Sequence, residues 1–441
     1  MFAADVDDVP SNVGGGVFAT RAYRIWLCQP VVMNRLRGLL GTEMQGESGA
    51  VTPLELFFDL VFVFALTGVT AFMAADFTWH GMLRGVLIFG LLWWSWVCYS
   101  WVGNVARADE GVSRLGLFAA MAVMFVLALS IPESFDDLPG GLYGPVVVAV
   151  CYFLFRALHL VLFWIISAGD PGLRGQLLRF APSMLVATAL LLIAAGTDGP
   201  TQTALWAAAL AADYLGNYLG GARGWRLRSA GHFAERHGLI LIIALGESIV
   251  AVGAGMAELP ISMPIVAAAV LGLVLSAALW WSYFDVTALA AERAFAATPD
   301  ADRPRLARDA YSYLHLPLVA GVVLLALGLK KVLEYVGDPR HHDLADPLKG
   351  VGLTALVCGV TLYLLGHVAF TWRVLDTVNM RDAVLALALL SLLGIGPHIP
   401  ALATLAVLTA AMAALVAFET IHFAEDRHRI RHEHQSPQGD R

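Results

Sequence analysis

The chain has 441 residues, of which 58% are hydrophobic and only 14% are charged, and its mean hydropathy is +0.70. Soluble domains carry about 25% charged residues, so this composition excludes an ordinary soluble globule. It predicts an all-α polytopic membrane bundle, because a helix satisfies its own backbone groups in lipid. The formal net charge of -7 argues against nucleic acid as a partner, since nucleic acid requires a basic face.

The chain divides into two flanking segments and two membrane halves. Residues 1–50 are predicted to form a partly disordered cytoplasmic arm, and residues 425–441 a disordered cytoplasmic tail. Residues 51–220 and 221–424 are predicted to hold six membrane helices each, because a helical span takes roughly 20 apolar residues. The twelve predicted spans are 53–75, 82–102, 115–132, 143–167, 177–196, 202–220, 236–256, 264–290, 310–329, 350–372, 382–397 and 400–422.

The basic residues predict the orientation of these spans. With both termini in the cytoplasm, 22 of the 28 Lys and Arg residues, Arg236 among them, fall in the inner segments. Five fall outside, and Arg156 lies within a span. The positive-inside rule therefore favours twelve spans in the plasma membrane with cytoplasmic N and C termini. The outer stretch 330–349 fits this assignment least well.

A repeated pattern relates the two halves. The tetrapeptide LWWS occurs at residues 92–95 and again at 279–282. Four residues of span four match four of span ten at a constant spacing: Leu154, Phe155, His159 and Trp164 with Leu362, Tyr363, His367 and Trp372. Six spans per half predict two parallel repeats; the alternative is coincidence in a chain rich in Leu, Ala and Trp. The tryptophan clusters either pack or line a cavity.

Span one opens with a helix-start signal followed by an acid in the apolar region. Thr52, Pro53 and Glu55 occupy the N-cap, N1 and N3 positions of a capping box, which predicts a structural role for Glu55. Asp59 lies on the same face as Glu55 but has no capping role. We expect Asp59 to face inward, either in a functional site or in an ion pair.

Span four carries Arg156 at its middle and His159 on the same face. An arginine at this depth requires a carboxylate or a polar cavity. The candidate partners are Asp59, Asp213 and Glu247. The pair would be either part of a transport site or a structural lock between helices.

Spans six and seven supply further candidate ligands for a substrate or ion. Asp213 and Asn217 share a face at i, i+4. Glu247 is the deepest acid and follows Gly246 in the middle of span seven. Glu247 is therefore a candidate proton carrier; the other interpretation is a neutral carboxyl that is hydrogen-bonded to a neighbour.

Three residues predict a secondary site toward the cytoplasm. Asp285, His315 and His367 lie toward the inner halves of spans eight, nine and ten. Each alone is compatible with a satisfied buried polar group. Together they indicate a polar cavity that opens to the inner side.

Two stretches resemble a known family. Residues 52–63 read TPLELFFDLVFV, and residues 232–238 and 244–249 read HFAERHG and ALGESI. These are similar to the two signature motifs of the bacterial low temperature requirement A family, and the resemblance extends over about residues 46–424. It implies a multi-pass bacterial membrane protein named for a cold-growth phenotype, with no biochemical activity to transfer.

The predicted function is transport of a small solute or ion, with or without coupling to protons, because transporters bind near the midplane of two-half bundles. The alternative is a non-transport membrane factor for structure or stress adaptation, whose intramembrane ion pairs are structural. An enzyme is not expected, since the sequence has no HExxH, nucleophile elbow or paired His and carboxylate spacing. No cofactor or metal is predicted, and the expected partners are the lipid bilayer and a small solute or proton.

Overall fold

The computed structural model describes residues 46, 49–222, 224–256 and 260–425. The predicted arm at 1–50 and tail at 425–441 lie almost entirely outside these ranges. Within them the chain forms helices and no strands, which confirms the all-α class. Ten helical segments of the described chain are long and apolar enough to cross a membrane, so the protein is a multi-pass membrane protein.

The helices of the first half are α1 (Pro53–Ala75), α2 (Trp79–Val105), α3 (Gly111–Leu129), α4 (Gly144–Ile166), α5 (Pro171–Ala194) and α6 (Gly199–Gly220). Those of the second half are α7 (Ala230–Met256), α8 (Met263–Phe284), α9 (Thr287–Ala297), α10 (Arg303–Leu306), α11 (His315–Gly337), α12 (Gly350–Leu375), α13 (Met380–Leu389), α14 (Leu392–Ile395) and α15 (Ala401–His422). A π-helical segment, Ala307–Tyr313, joins α10 to α11, and short 3-10 turns lie at Ile131–Glu133 and Gly396–His398. Helices α6 and α7 match predicted spans six and seven but are not among the ten segments, so the count of twelve stays a prediction.

Helix α1 shows how the sequence determines both its start and its orientation. The Thr52 hydroxyl accepts from the Glu55 backbone N–H at 3.3 Å, and the Glu55 carboxylate accepts from the Thr52 N–H at 2.9 Å, which confirms the predicted capping box. Phe57, Leu60 and Phe64 share an exposed face. Because such a stripe is apolar, it suits contact with lipid tails, and the opposite face carries the buried acids.

Helix α2 is the central helix of the first half, since 94% of its most apolar stretch is buried. In the second half, α11 and α12 pack most closely. A Cβ at Gly321 would lie 2.6 Å from the Gly359 carbonyl oxygen, and one at Gly328 would lie 2.5 Å from the Leu356 Cα. These glycines therefore allow the two backbones to approach as small residues do in membrane bundles.

The two halves have the same order of neighbouring helices. In the first half, α1 packs against α2 and α3, α3 against α4, and α4 against α5. In the second, α7 packs against α8 and α11, α11 against α12, and α12 against α13. This order is compatible with a repeat of spans one to six in spans seven to twelve. The repeat, with His159 on His367 and Trp93 on Trp280, stays a prediction.

Candidate functional site

Four ionisable side chains from α1 and α7 form a buried group that we call the acid–arginine cluster: Glu55, Asp59, His232 and Arg236. One guanidinium nitrogen of Arg236 donates to Glu55 Oε1 at 2.9 Å, and the other donates to Asp59 Oδ1 at 2.6 Å. His232 Nε2 lies 3.2 Å from Glu55 Oε2. All four side chains are almost completely excluded from the surface, so the charges of the cluster must be balanced within it.

The surroundings of the cluster hold this geometry. The indole N–H of Trp96 donates to Asp59 Oδ1 at 2.8 Å. A Cβ at Gly103 would collide with Glu55 Oε1 and lie 3.2 Å from the Arg236 guanidinium. Gly103 therefore gives the cluster its space on α2.

The charges in the cluster do not cancel when His232 is neutral. Two carboxylates then face one guanidinium, which leaves a net negative charge in a buried volume. Asp59 Oδ2 and His232 Nδ1 have no hydrogen-bond partner among the described residues. Because an uncompensated buried charge is costly, the cluster is suited to hold one proton on Asp59, whose Oδ2 is the carboxylate oxygen left without a partner among the described residues.

Arg236 and His232 were not among the predicted site residues. The sequence assigned Arg236 to the inner loop before span seven, and this was wrong because α7 begins at Ala230 and buries Arg236 against α1. Both residues lie in the second family-like motif, and Glu55 and Asp59 lie in the first. The two motifs, separated by about 180 residues, therefore meet at one site.

Arg156 has its carboxylate partner in Asp213, whereas Asp59 pairs with Arg236 and Glu247 bonds elsewhere. A guanidinium nitrogen of Arg156 lies 3.0 Å from Asp213 Oδ1. Asp213 Oδ2 accepts from the Tyr152 hydroxyl at 2.5 Å, and Asn217 Nδ2 donates to Asp213 Oδ1 at 3.1 Å. The pair links α4 to α6 and is nearly fully satisfied, as expected from the depth of Arg156.

His159 lies one turn from Arg156 beside a cavity of about 30 Å³. Neither ring nitrogen of His159 has a hydrogen-bond partner in the described part of the chain. Trp94, Asn217 and Arg308 also line this cavity. The sequence therefore identified His159 and Asn217 as candidates, but the contribution of Trp94 and of the π-helical segment requires the fold.

Glu247 forms a hydrogen bond to α1 about two helical turns beyond the acid–arginine cluster. Its carboxylate accepts from the Thr67 hydroxyl at 2.6 Å, and the side chain is buried. Thr67 follows Asp59 by eight residues, which is about 12 Å along α1. Asp59 contacts Arg236, and Thr67, which comes later in α1, contacts Glu247, which comes later in α7. The two helices therefore run parallel, and their interface holds two separate acidic sites about 12 Å apart.

Two of the three residues predicted for the secondary polar cavity line one cavity in the structure. Asp285 and His367 line a cavity of about 240 Å³ together with Glu419 and Arg381. His367 Nδ1 lies 2.6 Å from the buried Asp382 carboxylate, and its Nε2 lies 3.1 Å from the Thr287 hydroxyl.

The inclusion of His315 in that cavity was wrong. Its Nε2 lies 2.8 Å from the Tyr283 hydroxyl, and its ring stacks on Tyr311. His315 therefore belongs to the aromatic interior, which removes it from the cavity wall. Over the described ranges, no three His, Cys, Asp or Glu side chains are arranged to hold a metal ion.

Comparison with known proteins gives a family match over most of the chain. The family model described as Bacterial low temperature requirement A protein (LtrA) matches residues 50–417. An uncharacterized protein of Rhizobium meliloti (strain 1021) is 30% identical over 288 residues, which cover 62% of this chain and 67% of that protein. No solved structure matches the chain.

Proposed function

The chain belongs to the bacterial low temperature requirement A family, and we propose that it is a carrier that moves a small solute or ion across the membrane with coupling to protons. The observation that supports this proposal is the acid–arginine cluster, in which two buried carboxylates face one guanidinium. A carrier requires a group that gains and loses a proton during its cycle. A cluster that has an uneven number of charges, and in which one carboxylate oxygen has no partner among the described residues, suits that task.

Glu247 is the proposed second proton site. It lies about 12 Å from Asp59 along the α1–α7 interface, which is too far for a proton to pass directly between the two carboxyl groups. Water molecules would have to bridge the two sites during the cycle. The proposal therefore includes an open state in which water reaches the α1–α7 interface.

The Arg156–Asp213 pair favours the second candidate function, a non-transport membrane factor. Its buried charges compensate each other, and Tyr152 and Asn217 satisfy the carboxylate further. A protein in which all such groups are structural would not move protons. The experiment on Glu247 separates the two candidates.

We expect Glu247→Gln to abolish solute-coupled proton movement and to leave folding nearly intact, because the amide keeps the shape and the contact with Thr67 but cannot titrate. Purified protein in liposomes containing a pH-sensitive dye would be exposed to gradients of candidate solutes. The matched control is Glu425→Gln, the same change at an exposed acid. Unchanged proton movement in Glu247→Gln would remove this residue as a carrier.

We also propose that the protein lies in the plasma membrane with both termini in the cytoplasm. With Arg236 removed from the loops, 21 of the 28 Lys and Arg residues still fall on the proposed inner side. The proposal includes no catalytic activity and no cofactor, and the lipid bilayer is the surrounding partner.

Reporter fusions test this orientation. Fusions after residue 225 and after residue 260 flank α7, so the first is expected to report the cytoplasm and the second the opposite side. A phosphatase reporter and a fluorescent reporter at each position give complementary signals. Both positions reporting the same side would contradict a membrane span in α7.

A further inference from the structure

The cavity beside Arg156 contains three buried side chains whose hydrogen-bonding capacity is unused. These are His159 at both ring nitrogens, Trp94 at Nε1 and Asn217 at Oδ1, each without a partner among the residues described. Their exposed fractions are 0%, 4% and 7%. Buried polar groups in proteins are almost always bonded to protein or to ordered water, so three such groups around one cavity indicate that a polar molecule, either water or a small solute, occupies it.

The other buried tryptophans of α2 show that Trp94 is unusual. Trp93 donates to the Ser312 carbonyl oxygen at 2.9 Å, and Trp101 donates to the Ser312 hydroxyl at 3.1 Å. Trp96 donates to Asp59. Trp94 alone among these four leaves its N–H unused, and it lines the cavity.

The arginines beside the cavity already have acidic partners. Arg156 pairs with Asp213, and Arg308, which lines the cavity, pairs with Asp309 at 2.7 Å, a carboxylate that Arg373 also contacts at 3.1 Å. The three unused groups carry no charge, so a charged ligand bonded to them would gain no ion pair and would be costly to bury. The groups that remain are neutral, and together they offer both hydrogen-bond donors and acceptors.

The shape of the cavity limits the ligand further. Trp101, Trp225 and Phe180 also line the cavity, and aromatic walls suit a compact molecule with a conjugated group. The volume of about 30 Å³ corresponds to roughly two water molecules. A cavity of this volume therefore accepts a ligand of only a few heavy atoms.

We propose that this cavity binds a small, planar, uncharged solute of the amide class, which donates to His159 or Asn217 and accepts from Trp94. The cavity would be the solute-binding site of the proposed carrier. This proposal rests on the carrier function only for the transport step that follows binding. Binding itself is measurable without transport. The two ideas can therefore fail separately.

The test is a titration of the purified protein, followed by the fluorescence of its tryptophans, three of which line the cavity. Formamide is the uncharged probe, and acetate and methylammonium are the anionic and cationic probes of similar size. We expect a saturable response to formamide alone. No saturable response, or an equal or stronger response to either ion, would overturn the proposal.

Two variants assign the response to this cavity. Trp94→Phe keeps an aromatic ring but removes the N–H, and we expect the affinity for formamide to fall about tenfold. The matched control is Trp280→Phe, in the second copy of the LWWS motif at a side chain that is 40% exposed, with unchanged affinity. His159→Phe keeps the ring contacts, removes both nitrogens and should abolish binding. If Trp94→Phe yields no folded protein, the affinity of His159→Phe for formamide tests the site instead.

Wild-type affinity in a folded His159→Phe protein would contradict the site. Saturable binding of formamide without any solute-driven flux would retain the site and reject the carrier. Proton-coupled flux of another solute without formamide binding would retain the carrier and reject the proposed amide site.

Discussion

Arg236→Leu is expected to cause the largest loss of stability among single substitutions in the described bundle. The change leaves Glu55 and Asp59 buried together without their guanidinium. Removing one partner of a buried ion pair costs about 3–5 kcal/mol, and here two carboxylates lose the same partner. The measurement is the temperature at which half of the monodisperse protein is lost in detergent.

A second change separates the loss of charge balance from general damage to α7. Arg236→Leu combined with Asp59→Leu should recover part of the stability, because Glu55 keeps its bonds to Thr52 and His232. Arg228→Leu, at an exposed arginine just before α7, is the control and should melt like the wild type. A single Arg236→Leu variant that melts with the control would contradict the structural role of the cluster.

At the Arg156–Asp213 pair, we expect Asp213→Leu to be more damaging than Arg156→Leu. Without Arg156, Asp213 still accepts hydrogen bonds from Tyr152 and Asn217. Without Asp213, the guanidinium stays charged at any ordinary pH and is left in an apolar interior. We therefore expect Asp213→Leu to lower the free energy of unfolding by about 3–5 kcal/mol and Arg156→Leu to lower it by less.

The double variant Arg156→Leu, Asp213→Leu should be more stable than Asp213→Leu alone, because it removes the unpaired charge. The surface pair Arg226–Asp170 is a matched control, since the arginine side chain is 64% exposed. Arg226→Leu should cost no more than about 1 kcal/mol. Thermal stability in detergent compares all four variants, and a double variant no better than Asp213→Leu would indicate that the pair does not act as a unit.

Local signals in the sequence were sufficient for the fold class and for individual elements. Hydropathy predicted the membrane helices, and the Thr52 to Glu55 spacing predicted the start of α1. The depth of Arg156 required an acid or a polar cavity, and physical reasoning reduced the candidate acids to three residues. Choosing Asp213 among them required the packing of α4 against α6, which no local pattern specifies.

The candidate site was only partly predictable, because its central contacts join segments about 180 residues apart. Arg236 stands beside the polar residues His232, Glu235 and His237, a density of charged and polar groups that by itself indicates a loop. The packing of α7 against α1 and α2 makes Arg236 a buried residue. The resemblance to family motifs did point to both segments, but it gave no reason to expect them in contact.

The charge balance of the cluster leads to the most direct test of the proposed carrier. The measurement is the change in internal pH of liposomes containing the purified protein after an inward solute gradient is imposed, for wild type and Asp59→Asn. The amide can still accept from Trp96, and Arg236 keeps Glu55, so folding should be retained. Asp198→Asn, at an exposed acid, serves as the control. We expect a solute-driven pH change in wild type and control that is lost in Asp59→Asn. An equal change in all three proteins would contradict the role of the acid–arginine cluster, and no solute-driven change in the wild type would contradict the proposed carrier.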